Sequence, residues 1–219
     1  MAEGQGVLPC VTKIQISECP KLRGLPPVPP TVNRLTVSEV GVNCLPQLKK
    51  ASANTCTMLS SLYVHECSRL KSLRNGLLSQ ELNSLRELTI ANCEELVSLP
   101  MDCFKPLVSL RNLYIYNCPK LTRGLPEAKD LLPGSLEDLR ISAWRTELIN
   151  PMLKCLSSLT SLTHLNLTDC SQLGHFPEET RLPNMLKFLV FWNCANLWWL
   201  PPLLHVSALR DWSSATVHW

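Results

Sequence analysis

One phrase returns along the whole chain at a nearly constant interval. From Leu85 the sequence reads LRELTIANCEELVSLP, from Leu110 LRNLYIYNCPKLTRGLP, from Leu162 LTHLNLTDCSQLGHFP and from Leu186 LKFLVFWNCANLWWLP. Earlier copies are VTKIQISECPKLRGLP from Val11 and LSSLYVHECSRLKSL from Leu59. Shorter copies, VNRLTVSEV from Val32 and LEDLRISAW from Leu136, fill the gaps. The shared pattern is L-x-x-L-x-I-x-x-C-x-x-L-x-x-L-P. Its ninth position holds Cys19, Val40, Cys67, Cys93, Cys118, Trp144, Cys170 and Cys194, separated by 21, 27, 26, 25, 26, 26 and 24 residues. Self-similarity at such a period specifies structural repeats stacked on one another.

The alternation around the second leucine has the period of a strand, placing Leu113 and Ile115 inward and Tyr114 and Tyr116 outward. A single repeat cannot bury its apolar side chains, so neighbours must stack and pair their strands. The expected fold is therefore α/β: a leucine-rich-repeat solenoid, or horseshoe. A parallel sheet lines its concave face, and irregular turns and short helices form its convex face. Segments 76–82 and 152–158 are the expected helical turns. Proline after the last leucine is tolerated because it lies outside the paired strand. All 219 residues are expected to form one domain, with about eight repeats over 7–202 and a tail at 203–219.

The ninth-position cysteine is expected to point inward as a small apolar packing residue. Val40 and Trp144 at the same position show that a thiol is not required there. The 11 cysteines are spread along the chain without a C-x-x-C pair, and the first ten residues lack a basic start and an apolar stretch. Reduced thiols and a cytoplasmic setting are the expectation. A net charge of +3 excludes binding to nucleic acid through bulk positive charge. The richest apolar run, 188–204, is interrupted by Asn193, Asn196, Pro201 and Pro202, against a membrane span. Phosphate-loop, dinucleotide, serine-hydrolase and zinc-protease motifs are missing, so neither catalysis nor a cofactor or metal is expected. The sequon Asn166–Thr168 falls on a repeat strand and is read as coincidence.

What remains is the exposed face of the sheet, where side chains vary while the inner columns stay Leu, Ile or Val. Outward positions are the second, third, fifth, seventh and eighth of the motif. The fifth column contains Tyr63, Tyr114, Arg140 and Val190, and the seventh contains His65, Tyr116 and Trp192. The eighth runs Glu18, Glu39, Glu66, Asn92, Asn117, Ala143, Asp169, Asn193. Tyr and Trp combine large contact area with few rotors and are frequent interface hot spots. Tyr63, Tyr114 and Tyr116 are expected to bind a partner. The stripe Phe188, Val190, Trp192 is expected either to bind one or to be covered by the chain's own tail. Arg86 and Arg111, at neighbouring second positions, suit an acidic group. The glutamates of the eighth column suit either a basic partner or solvent.

The phrases LTIANCEELVSLP, LYIYNCPKLTRGLP and LNLTDCSQLGHFP resemble the repeats of plant intracellular immune receptors, the nucleotide-binding leucine-rich-repeat (NB-ARC-LRR) resistance proteins. The resemblance covers about residues 7–202 and is specific to a repeat subtype; the N-x-L-x-G-x-I-P form of extracellular plant receptors is missing. It implies a protein-recognition module that binds a pathogen effector or a guarded host protein through its concave face. In such receptors the repeats also restrain a nucleotide-binding module. The first repeat opens at Val11, so no nucleotide-binding residue is carried over. A free-standing scaffold or adaptor without an immune role is the alternative, because a fold does not determine function.

Overall fold

The computed structural model describes residues 10–49, 57–73, 76–99, 104–121, 131–178 and 180–202. The tail 203–219 lies outside the described residues. Eight strands follow in order: β1 (Lys13–Cys19), β2 (Arg34–Val40), β3 (Ser61–His65), β4 (Glu87–Ala91), β5 (Asn112–Tyr116), β6 (Asp138–Ser142), β7 (His164–Thr168) and β8 (Phe188–Trp192). They form one parallel sheet in sequence order, each strand pairing with the next. The registers join like positions of the motif, as in Leu88↔Leu113 and Leu113↔Leu139. The molecule is thus a leucine-rich-repeat solenoid, and each strand opens one coil.

The core follows from the alternation. Leu62 and Val64, Leu88 and Ile90, Leu113 and Ile115, Leu139 and Ile141, and Leu165 and Leu167 are all buried. With the later leucines of each coil they make one continuous cluster from Val28 to Phe191. At the edge strand β1, Val11, Ile14 and Ile16 are only half-buried. On the opposite side, single parallel bridges join the first coil to the second, the third to the fourth and the seventh to the eighth: Val28↔Leu48, Ser72↔Ser98 and His175↔Trp199. Coils approach closely at Gly41, where a Cβ would lie 2.1 Å from Pro20 O, so only glycine fits.

Cys67, Cys93, Cys118 and Cys170 are buried as expected, each donating from Sγ to a backbone carbonyl two residues back. Cys19 is exposed and Cys194 half-buried, because their strands form the two edges of the sheet. The outer helices differ from expectation in extent. Only Leu77–Ser79 of segment 76–82 is helical, as one 3-10 turn. In the sixth coil, α1 begins earlier than 152, at Thr146, and runs to Cys155 before the 3-10 turn Leu156–Ser158.

The eighth column is a second difference. All eight residues, Glu18, Glu39, Glu66, Asn92, Asn117, Ala143, Asp169 and Asn193, have left-handed backbone with φ between 44° and 60°. This position is the corner that turns each coil out of its strand, and its first requirement is conformational.

Candidate functional site

The open face of the sheet gathers the outward strand residues into rows. In the fifth row Tyr63 and Tyr114 flank Thr89, followed by Arg140, Asn166 and Val190. Parallel pairing sets neighbours ~4.8 Å apart, so each aromatic ring meets side chains of the next coil.

Tyr114 is held from three sides. Its hydroxyl donates to Asp138 Oδ2 at 3.1 Å, Arg140 lies 5.0 Å from its ring centroid, and its ring stacks on Tyr116 at 6.2 Å. Arg140 grips the same carboxylate, with Nε 3.0 Å from Oδ1 and Nη2 2.7 Å from Oδ2. A fork of this kind fixes both side chains. Burial, then the Asp138 charge, pushes the Tyr114 hydroxyl up to about 12. The hydrogen bond to Asp138 raises Arg140 above its ordinary value, so its guanidinium stays charged. Burial also raises Tyr116.

Tyr63 repeats the arrangement two coils earlier. Its hydroxyl donates to Glu87 Oε2, and the Arg34 guanidinium sits 5.5 Å from its ring centroid. Burial and the Glu87 bond raise its pKa. The rings are therefore half-buried platforms held by carboxylates on the following coil. Sequence reading found the tyrosines but missed Arg34, Glu87 and Asp138. All three are third-column residues, and the tyrosine-to-carboxylate step of 24 residues recurs in both pairs.

The remaining expected residues lie on or beside this face. His65 is half-exposed; the Asn92 amide donates to its Nε2 at 2.9 Å, and its Nδ1 lies 3.5 Å from Ser38 Oγ and from Glu66 Oε1. The Asn117 amide donates to Asn92 Oδ1 at 3.0 Å, extending a polar ladder along the eighth column. Arg111 bonds Glu137 at 2.8 Å, so a ligand for it would compete with that carboxylate. Arg86 is exposed and has no ion-pair partner among the described residues.

At the far edge Phe188 is 44% and Trp192 50% exposed, with Val190 half-buried between them. Phe188 is not solitary, since His164 stacks on it at 4.4 Å with planes 12° apart. Trp198, 71% exposed and 5.6 Å from the ring of His175, adds an aromatic surface that the strand pattern did not reveal. The two aromatic groups, around Tyr114 and around Phe188, are separated by Arg140 and Asn166 along the fifth row.

Among the described residues, no group of three or more His, Cys, Asp or Glu is arranged to hold a metal. No described helix is long and apolar enough to cross a membrane.

These features define the class: a leucine-rich-repeat solenoid presenting an ordered aromatic and charged sheet face. No protein-family model and no curated protein matches the chain. Among solved structures, the chain is similar to the leucine-rich repeat domain of the type III effector XopL, at 22% identity and a TM-score of 0.48. That match covers 80% of this chain and 65% of the effector domain's length.

Proposed function

We propose that the chain is the protein-recognition region of a plant intracellular immune receptor. It binds a pathogen effector or a guarded host protein through the sheet face, in the cytoplasm. In the whole receptor it also holds a nucleotide-binding module inactive, and the partner releases it by binding the active state more tightly. The observation that supports a recognition role is the pre-organised aromatic platform. Tyr114, Tyr116 and Tyr63 are held by Asp138, Arg140, Glu87 and Arg34 before any partner arrives. Little side-chain entropy is then lost on binding. The receptor reading rests on the resemblance of the C-x-x-L-x-x-L-P phrases.

The test is the size of the native polypeptide, read by immunoblot with an antibody to this region. A band several times larger than 24.6 kDa, retained on an immobilised nucleotide, supports the receptor reading. A band near 24.6 kDa overturns it and leaves a free-standing scaffold. Within either protein, Tyr114→Ala combined with Tyr116→Ala is expected to weaken partner binding by about tenfold or more. Loss of binding only in proportion to loss of folded protein would refute the assignment of this face.

A further inference from the structure

The cysteine ladder contains one pair unlike the rest. Cys170 and Cys194 each lie two residues beyond the paired residues Thr168 and Trp192 of β7 and β8. Coils at ~4.8 Å spacing fall within the Cα separation of about 4.4–6.8 Å that a disulfide spans. Both sulfurs reach the backbone of one strand. Cys170 Sγ donates to Thr168 O at 3.3 Å, and Cys194 Sγ crosses to Leu167 O at 3.5 Å.

Access separates this pair from Cys67, Cys93 and Cys118. Those three are also neighbours in the ladder, but all are at most 1% exposed. Cys170 is fully buried, whereas Cys194 is half-exposed at the sheet edge. Cys19, at the other edge, faces Val40 in the next coil and has no thiol beside it there. Only at Cys170–Cys194, among the described ladder residues, does solvent reach one member of a thiol pair.

We propose that Cys170 and Cys194 form a peroxide-responsive dithiol, with Cys194 as the attacking sulfur and Cys170 as the resolving one. The neighbouring Cys170 side chain lowers Cys194 to about 7, outweighing its burial and the nearby Asp169, while Cys170 itself is raised. Access points the same way, since Cys194 meets solvent at the sheet edge and Cys170 does not. The Cys194 thiolate displaces hydroxide from hydrogen peroxide and becomes a sulfenic acid. Cys170 sulfur then attacks Cys194 sulfur, the S–O bond breaks, and the Cys170 proton leaves with the hydroxyl as water. Peroxide is reduced by two electrons and the dithiol is oxidised to a disulfide. The bond ties the edge coil, which bears Phe188 and Trp192, to its neighbour, so the aromatic edge becomes covalently fixed under oxidising conditions.

The experiment treats the folded full chain with hydrogen peroxide and maps disulfide-linked peptides by mass spectrometry without reduction. The expected product links Cys170 to Cys194 and reverts with dithiothreitol. Cys194→Ser abolishes the link. Cys170→Ala leaves a Cys194 sulfenic acid that dimedone traps, and this identifies the attacking residue even without the disulfide. Circular dichroism of each variant checks that it remains folded. Labelling by iodoacetamide at neutral pH is expected to be several-fold faster at Cys194 than at exposed Cys19 or Cys44. Peroxide consuming Cys19 or Cys44 while Cys194 stays reduced overturns the proposal. So does Cys194 oxidising to the sulfinic acid with Cys170 intact and unlinked.

Discussion

At the scale of single residues, the corner after each strand shows how one backbone demand hides inside a variable column. Eight coils place their eighth residue in left-handed conformation. For a residue with a Cβ this costs about 1–2 kcal/mol, less for Asn and Asp, whose short side chains bond locally. Asn92, Asn117, Asp169 and Asn193 suit the corner; Glu18, Glu39, Glu66 and Ala143 do not. Ala143→Asn is therefore expected to stabilise the protein by about 0.5–1 kcal/mol, placing an amide between Asn117 and Asp169 in the polar ladder. Urea denaturation checks it, and an unchanged or lower midpoint would refute the account. Tyr114 supplies a second residue-level prediction. Its folded pKa lies above its ordinary value of 10, so its contribution to stability is complete below pH 10 and is lost as pH rises toward 12. Tyrosinate absorbance should show Tyr114 among the last to ionise, and Asp138→Asn should bring that titration to lower pH. The corner was poorly legible because the glutamates look like a solvated acidic edge, and outward-facing position and backbone conformation leave the same variable signature. The tyrosines were legible because a period of two places them outward. Their carboxylate partners were not, since pairing between third and fifth columns on adjacent coils depends on side-chain reach.

At the scale of elements, strands were easy to read and helices were not. Each strand carries its own alternation, whereas α1 includes Pro151, a residue that ordinarily interrupts a helix by removing an amide donor. The helix forms nevertheless because Leu148, Ile149, Met152 and Leu153 bury its inner face. The same coil is the one in which the ladder cysteine is replaced by Trp144, 4% exposed and packed near Met152, Leu139 and Phe104 around a small apolar void. The indole fills a volume that a thiol cannot. Restoring the repeat consensus should therefore harm the fold: Trp144→Cys is expected to cost about 3 kcal/mol. Its Nε1 is buried without a hydrogen-bond partner among the described residues. Trp144→Phe keeps most of the packing and removes that orphan donor, so it should cost less than about 1.5 kcal/mol. Comparing the two variants by chemical denaturation separates volume from polarity. Equal losses would mean that the void, rather than the indole, sets the cost.

At the scale of the whole molecule, stability is distributed by stacking, because every coil touches only its neighbours and the sheet order is strictly sequential. A central leucine then supports two interfaces and an edge residue supports one. Leu113 in β5 is 1% exposed between β4 and β6, whereas Ile14 in β1 is half-buried. Leu113→Ala should cost about 3–5 kcal/mol, and Ile14→Ala about 1 kcal/mol, the lower figure reflecting its partial burial. Native-state amide exchange should follow the same order, with β1 opening before β5. The denaturation slope decides how far the coils act together. If the continuous core from Val28 to Phe191 couples all eight, Leu113→Ala lowers the midpoint while the slope is unchanged, because the whole stack still unfolds at once. A slope that falls toward half its value would mean that the coils on either side of β5 unfold separately. The sheet face would then be two platforms, one around Tyr63 and one toward Phe188, with the Tyr114–Asp138–Arg140 cluster at the break between them. Partner binding across that cluster would in that case raise cooperativity, recoverable as a steeper unfolding transition in the bound protein.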